Sequence, residues 1–186
     1  MLAVLRREVA AVDGATYARF LSDWHGLGAV RGASGTQRLI EVIAQLEGLP
    51  IAATELESRV LPARVRGYQP RWLDELMGTG EVVWVGAGAL GAKDGRVCLY
   101  RRAQARVLLG ARTEATDDLQ KALIAIFAAR GAVFFAELKT QLVHSNMSEV
   151  VLALWDLVWM GLVTNDTMAP LRSYICLLYT SDAADE

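Results

Sequence analysis

The apolar positions of this chain fall mostly at helical spacing, and they do so twice in the same order. Leu39, Ile40, Ile43 and Leu46 follow Ser34-Gly35-Thr36-Gln37, an S-x-x-Q sequence of the capping-box kind, and Gly48 with Pro50 closes that helix. A second short helix is predicted from Ala53 to Val60 or Leu61. Pro70 suits a first helical turn, where its missing N–H would have no partner anyway. It opens a third helix over RWLDELMGT, closed by Gly80. Further along, Thr116-Asp117-Asp118 offers a cap and first-turn acids to a helix carrying Leu119, Leu123, Ile126 and Phe127, with Gly131 as its stop. FFAELKTQL is the next helix. Asn146-Met147-Ser148-Glu149 then caps VVLALWDLVWM, which ends at Gly161 and runs into LVTND.

The two segments superpose with a shift of about 82 residues. Glu55-Leu56 falls on Glu137-Leu138, and Leu73, Leu76, Gly80 and Val82 fall on Leu154, Leu157, Gly161 and Val163. Helix, helix, helix, glycine, strand is the element order of a winged helix, a helix-turn-helix with a β-hairpin appended.

The hairpin of the first unit raises a competing reading. EVVWVGAGALGAKDGRVCLY (81–100) contains GAGALG, which fits the G-x-G-x-x-G pattern of a dinucleotide-binding loop. That loop needs a helix directly after its third glycine, so that N-terminal N–H groups meet the pyrophosphate. After Gly91 come instead the turn dipeptide Asp94-Gly95 and the strand formers Arg96 to Tyr100, and no acidic residue waits at the end of a second parallel strand. GAGALG is therefore expected at the tip of a wing, with Lys93 and Arg96 at that tip and Arg101 and Arg102 at its base. The expected class is mainly α with small β hairpins (α+β), as tandem winged-helix units. Residues 1–33 form a helical lead-in, 34–103 the first unit, 104–115 a linker and 116–175 a second, truncated unit.

Composition narrows the function classes. No run of about 18 apolar residues lacks a charge, so no spanning helix is expected. MLAVLRREVAAV has the wrong charge order for a secretory signal. Cys98, Cys176, His25 and His144 form neither a disulfide framework nor a metal-ligand spacing, which favours the cytoplasm. The last eleven residues, CLLYTSDAADE, resemble one reading frame of a common transposase-type sequencing adapter. Residues 176–186 are accordingly read as a non-native tail, and the natural chain is expected to continue past Ile175 and to precede Met1. Without Asp182, Asp185 and Glu186 the formal charge of −2 becomes 18 acidic against 19 basic residues.

Three long stretches carry a family resemblance: LRREVAAVDGATYARFLSDWHG, LESRVLPARVRGYQPRWLDELMGTGEVVWVGAGALG and ALWDLVWMGLVTNDTMAPLR. They resemble the large helicase-related (Lhr) DNA helicases of bacteria, in the region C-terminal to the motor where winged-helix units stand in tandem. The resemblance implies a parent that couples ATP and Mg²⁺ to 3′-to-5′ movement on single-stranded DNA in DNA repair. Part of that region is similar to winged-helix DNA glycosylases. It implies nucleoid association as well. No G-x-x-x-x-G-K-[ST] loop or D-E-x-H box occurs here, so this stretch is expected to be non-catalytic and without a cofactor of its own. No glycosylase residue can be carried over.

Arg59, Arg64, Arg66 and Arg71 surround the start of the first unit's third helix, where a helix-turn-helix meets a phosphate backbone. Together with Lys93, Arg96, Arg101 and Arg102 they are the DNA-binding candidates. Ion pairing with Glu55, Glu57, Asp74 and Glu75 is the alternative for the first four. Trp24, Trp72 and Trp84 are read as core residues rather than base-stacking platforms, His25 as a packed or capping residue, and Trp155 with Trp159 as parts of a domain-packing helix. Asp156 and Glu75 hold equivalent places in different units, which argues against a catalytic carboxylate pair. Three functions stand open: an accessory module binding single-stranded or forked DNA, which is the expected one; a winged-helix module that packs against the rest of its polypeptide or oligomerises, which the near-neutral charge supports; or part of a DNA glycosylase-like domain.

Overall fold

The computed structural model describes residues 10–26, 34–91, 94–110, 113–142 and 146–182, with side chains through Cys176. Helix α1 (Gly14–His25) starts where the Asp13 carboxylate accepts from the Thr16 N–H at 2.8 Å, and it stops at Gly26, whose φ of +66° suits a residue without a β-carbon. Then come α2 (Thr36–Leu46), β1 (Ile51–Ala52), α3 (Ala53–Glu55, running on as a π turn over Leu56–Val60), α4 (Pro70–Gly78), β2 (Val82–Leu90) and β3 (Asp94–Arg101). The three strands make an antiparallel sheet in the order β1-β3-β2. Leu39, Ile43, Leu56, Leu61, Leu73, Trp84 and Leu99 are fully buried between the sheet and the helices. This is the expected winged helix.

Helix α5 (Arg102–Leu108) leaves β3 at once and places Ala105 against Val85, Cys98 and Tyr100 on the sheet's outer face. The stretch expected as a linker over 104–115 therefore begins as a packed helix. The second unit is α6 (Asp118–Arg130), α7 (Phe135–Gln141) and α8 (Met147–Trp159), around Leu123, Leu138, Val150 and Leu157. Helix α9 (Ala169–Asp182) follows.

The repeat holds at the level of single hydrogen bonds. At the end of α4 the N–H groups of Thr79, Gly80 and Glu81 donate to the carbonyls of Glu75, Met77 and Leu76. At the end of α8 those of Met160, Gly161 and Leu162 donate to Asp156, Val158 and Leu157. Gly80 and Gly161 have φ of +74° and +71°. A glycine in the left-handed region turns the chain off the helix in each unit.

Four local expectations are corrected. Ser34-x-x-Gln37 makes no capping box, because α2 starts from Gly35 without a side-chain cap. The cap of α6 is Asp117 rather than Thr116, and its carboxylate accepts from Leu119 and Gln120. LVTND forms no strand. GAGALG is not the wing tip: Gly86 to Leu90 lie inside β2, with a register irregularity between Gly86 and Ala89, and Asp94 and Gly95 belong to β3. The Asp94 carboxylate is drawn away from a turn by the Thr54 hydroxyl at 2.6 Å, beside its bond to the Gly95 N–H at 2.8 Å.

The glycines have a different task. A β-carbon on Gly86 would overlap the carbonyl of Val158, and one on Gly95 would overlap the indole of Trp159. The end of α8 thus lies directly on the backbone of the first unit's hairpin. Trp84 donates its indole N–H to the Thr167 carbonyl at 3.1 Å, and the Thr164 hydroxyl donates to the Trp84 carbonyl.

We expect Gly86→Ala to lower stability by about 2–3 kcal/mol, because two backbones must separate to admit one methyl group. Gly14→Ala, with nothing near its β-carbon, should be neutral. Thermal and urea unfolding of both variants checks this, and equal effects would refute the close packing.

Candidate nucleic-acid interface

The eight basic candidates do not form one surface of equal residues. Arg66 and Arg71 are exposed on either side of the entry to α4, and Arg96 is exposed on β3, opposite Ala52 of β1. Arg59 is exposed but lies 3.4 Å from Glu55 one turn earlier. Arg64 is half-buried and turns inward, its Nη1 donating to the Val60 carbonyl at 3.1 Å. Arg102 is exposed at the start of α5. Lys93 lies outside the described residues, as does His144.

Arg101 is committed to the fold. Its Nε and Nη2 donate to the two oxygens of Glu47 at 2.8 and 3.0 Å, and its own N–H donates to the same carboxylate at 2.8 Å. Glu47 is 9% exposed and ends α2, so this fork ties the end of a helix to the end of a strand. The Arg101 guanidinium holds the Glu47 carboxyl below the usual carboxylate range against the opposing effect of burial.

Residues that the sequence did not single out hold the other face. Arg172 on α9 donates from Nε and Nη2 to the two Glu57 oxygens at 2.6 and 3.0 Å, and from Nη1 to Asp74 at 2.7 Å. The Met168 N–H adds a bond to Asp74 at 3.0 Å, and the Tyr68 hydroxyl donates to Glu57 at 2.6 Å. Burial, then the Glu57 carboxylate, push the Tyr68 phenol far above its ordinary range, while Glu57 and then Asp74 hold Arg172 still more firmly charged. Around this cluster Met168 and Leu171 are fully buried in the first unit's core, and Trp155 stacks on Trp159 while Tyr174 meets the one tilted and the other edge-on, with ring centres 4.3–5.8 Å apart. The acids considered as partners for the unit's own arginines are therefore taken, in two of four cases, by an arginine about a hundred residues later.

The aromatic expectations divide. Trp84 is buried and Trp72 half-buried, but Trp24 is 49% exposed and stacks on Phe20, and α1 buries none of its side chains among the described residues. Asp156 accepts a long bond from Gln120 within its own unit, apart from Glu75. Among the described residues no cluster of His, Cys, Asp and Glu could hold a metal ion, and no single helix is long and apolar enough to cross a membrane.

The family model described as large helicase-related protein, winged-helix domain, matches residues 12–102. Over 177 residues, 94% of this chain, the sequence is 42% identical to the Lhr helicase/probable uracil glycosylase of Mycolicibacterium smegmatis. Over 197 aligned positions, 92% of this chain, it is 36% identical to the Lhr helicase/uracil glycosylase of Escherichia coli. This chain belongs to the large helicase-related family. It spans 12% of the length of either relative. Within the Lhr chain the matched winged helix, 12–102, holds α1 to β3, and the relatives' similarity continues through the second unit and the start of α9.

Two predictions follow from the ion pairs. A carboxylate whose folded pKa is depressed stabilises the fold above its unfolded value, and that contribution disappears as pH falls through the folded pKa. Glu47→Gln should therefore destabilise near neutral pH, and its stability curve should converge on the parent curve below about pH 4. Parallel curves to the acid limit would refute the assignment. Arg172→Met should cost about 2 kcal/mol by leaving Glu57 and Asp74 without their cation, and adding Glu57→Gln with Asp74→Asn should restore part of it. A double-mutant cycle by urea unfolding measures that coupling.

Proposed function

We propose that this region is a non-catalytic winged-helix pair in an ATP-dependent DNA helicase. It serves first to hold consecutive units of the parent as one body, and DNA contact is left to the exposed arginines Arg66, Arg71 and Arg96. The observation that carries this reading is Arg172 seated between Glu57 and Asp74, with Trp159 lying on the wing glycines. In a helix-turn-helix that reads DNA, the third helix is the element that enters the groove. Here the acidic flank of that helix is covered from within the chain. What stays exposed at its N-terminal end is arginine, suited to backbone phosphates rather than bases.

The parent would supply 3′-to-5′ movement on single-stranded or forked DNA for repair, in the bacterial cytoplasm at the nucleoid. ATP and Mg²⁺ would act elsewhere in it, since the sequence offers no phosphate loop and the described residues no metal cluster. Both relatives carry uracil glycosylase in their names, and a base-excision role for the parent is a further part of the proposal.

The test is DNA affinity across a salt series. The triple change Arg66→Glu, Arg71→Glu, Arg96→Glu should weaken binding to forked and single-stranded DNA equally across sequences, and should flatten the dependence of log affinity on log salt by about 2–3. Unchanged affinity and slope would leave packing as the sole function of the pair.

A further inference from the structure

The two units share three helices but not a sheet, and the difference leaves a slot of definite shape. In the first unit Ala52 is at once the last residue of β1 and the N-cap of α3, with φ −57° and ψ 131°. In the second, Phe134 is the extended N-cap of α7 with φ −74° and ψ 144°, so 133–134 stands in the place of β1. Ile51 packs on the first core, and Val133, 82 residues later, packs on the second. After the helix-ending glycine, Val82 opens β2, whereas Val163 opens a stretch that pairs with no strand. The first sheet has the order β1-β3-β2, which places β3 between the other two.

In the second unit the corresponding space is open. A cavity of about 370 Å³ lies between 131–134 on one side and 162–166 on the other, with Phe127 at its base. An adjoining groove runs over Val133, Leu138, Leu154 and Val163, the counterparts of Ile51, Leu56, Leu73 and Val82 around the first core. Phe134 is 80% exposed beside it.

We propose that this cavity is the seat of a missing central strand, filled by an extended segment of the parent polypeptide that lies outside this chain. The chemistry of the occupant follows from the first unit. There β3 pairs its backbone with β1 and β2 and alternates its side chains, so that Val97 and Leu99 enter the core while Arg96 faces outward. The occupant is thus a strand with apolar residues at alternate positions, β-branched or leucine, joined antiparallel to 133–134. The source is the same polypeptide because the first unit closes its sheet with its own chain, and because most of either relative's length lies outside the matched stretch. This site is separate from the arginines of the first unit, so its test does not depend on DNA binding.

The probe is a peptide copying Asp94–Arg101, added to the full chain and also appended to it through a flexible Gly/Ser linker, which raises the effective concentration. Saturable amide NMR shifts confined to 131–134 and 162–166, and a melting temperature about 4 °C higher in the fusion, are expected. Val97→Pro in the copied strand, free or fused, should abolish both, because Val97 lies opposite Ile51, the counterpart of Val133, and proline there removes a ladder N–H from the added strand while leaving the chain itself unchanged. A scrambled peptide that does as well, or shifts that fall elsewhere, would overturn the slot. Self-association of the unmodified chain, with amide shifts at the same 131–134 and 162–166, would overturn the assigned source in favour of a second copy.

Discussion

The end of α8 rests on bare backbone of the first unit's hairpin, and the remaining long-range order of this chain depends on that contact. Glycine at positions 86 and 95 lets the Val158 carbonyl and the Trp159 indole come within van der Waals distance of the strands. A buried indole removes on the order of 200 Å² from water, about 5 kcal/mol as an upper value. Such a contact fixes the axis of α8 relative to the sheet. It therefore fixes where the chain emerges after Gly161, and so brings Met168, Leu171 and Arg172 over the helix-turn-helix. Had either glycine been alanine, α8 would stand off and the Arg172 fork would not reach both acids.

That dependence explains what could be read from the sequence and what could not. The three-helix repeat was legible because its signals are local: Asn146 caps α8, and Gly80, Gly131 and Gly161 stop their helices, each acting within one turn. The cap of α6 missed by one residue because Thr116, Asp117 and Asp118 are all competent and only the approach of the chain selects among them. GAGALG was placed in the hairpin, where it lies, but misplaced as its tip. Its first glycine, Gly86, answers to Val158 and the nearby Gly95 to Trp159, each more than sixty positions away, and the Asp94 carboxylate is bonded by Thr54, forty residues earlier. No window of local pattern contains those partners. Arg172 was invisible for the same reason, while the tryptophans of α8 did mark it as a packing helix.

The same geometry redistributes charge in a way a residue count hides. Helix α4 carries Asp74 and Glu75, which would repel phosphates from any groove it entered. Arg172 pairs with both Asp74 and Glu57, halving their net charge and leaving Glu75 as the exposed acid of that helix. Of the arginines that looked like a cluster in the sequence, Arg64 satisfies a carbonyl, Arg101 closes the α2–β3 corner and Arg59 pairs within its own turn. The exposed remainder sits at the start of α4 and on the outer side of the hairpin.

The divergence of the two units follows from one stretch of chain having two incompatible uses. After Gly80 the chain pairs as β2, and its return strand completes the sheet at once. After Gly161 the corresponding residues cannot both run as a second β2 and place Met168, Leu171 and Arg172 in the first unit's core. Only six residues, 162–167, separate the helix-ending glycine from Met168. Burial of two large apolar side chains, a two-carboxylate fork and the Trp84–Thr167 bond outweigh the few ladder hydrogen bonds that a short edge strand would add. Among the described residues the second unit thus forms no sheet, and 162–167 serve the joint with the first unit instead.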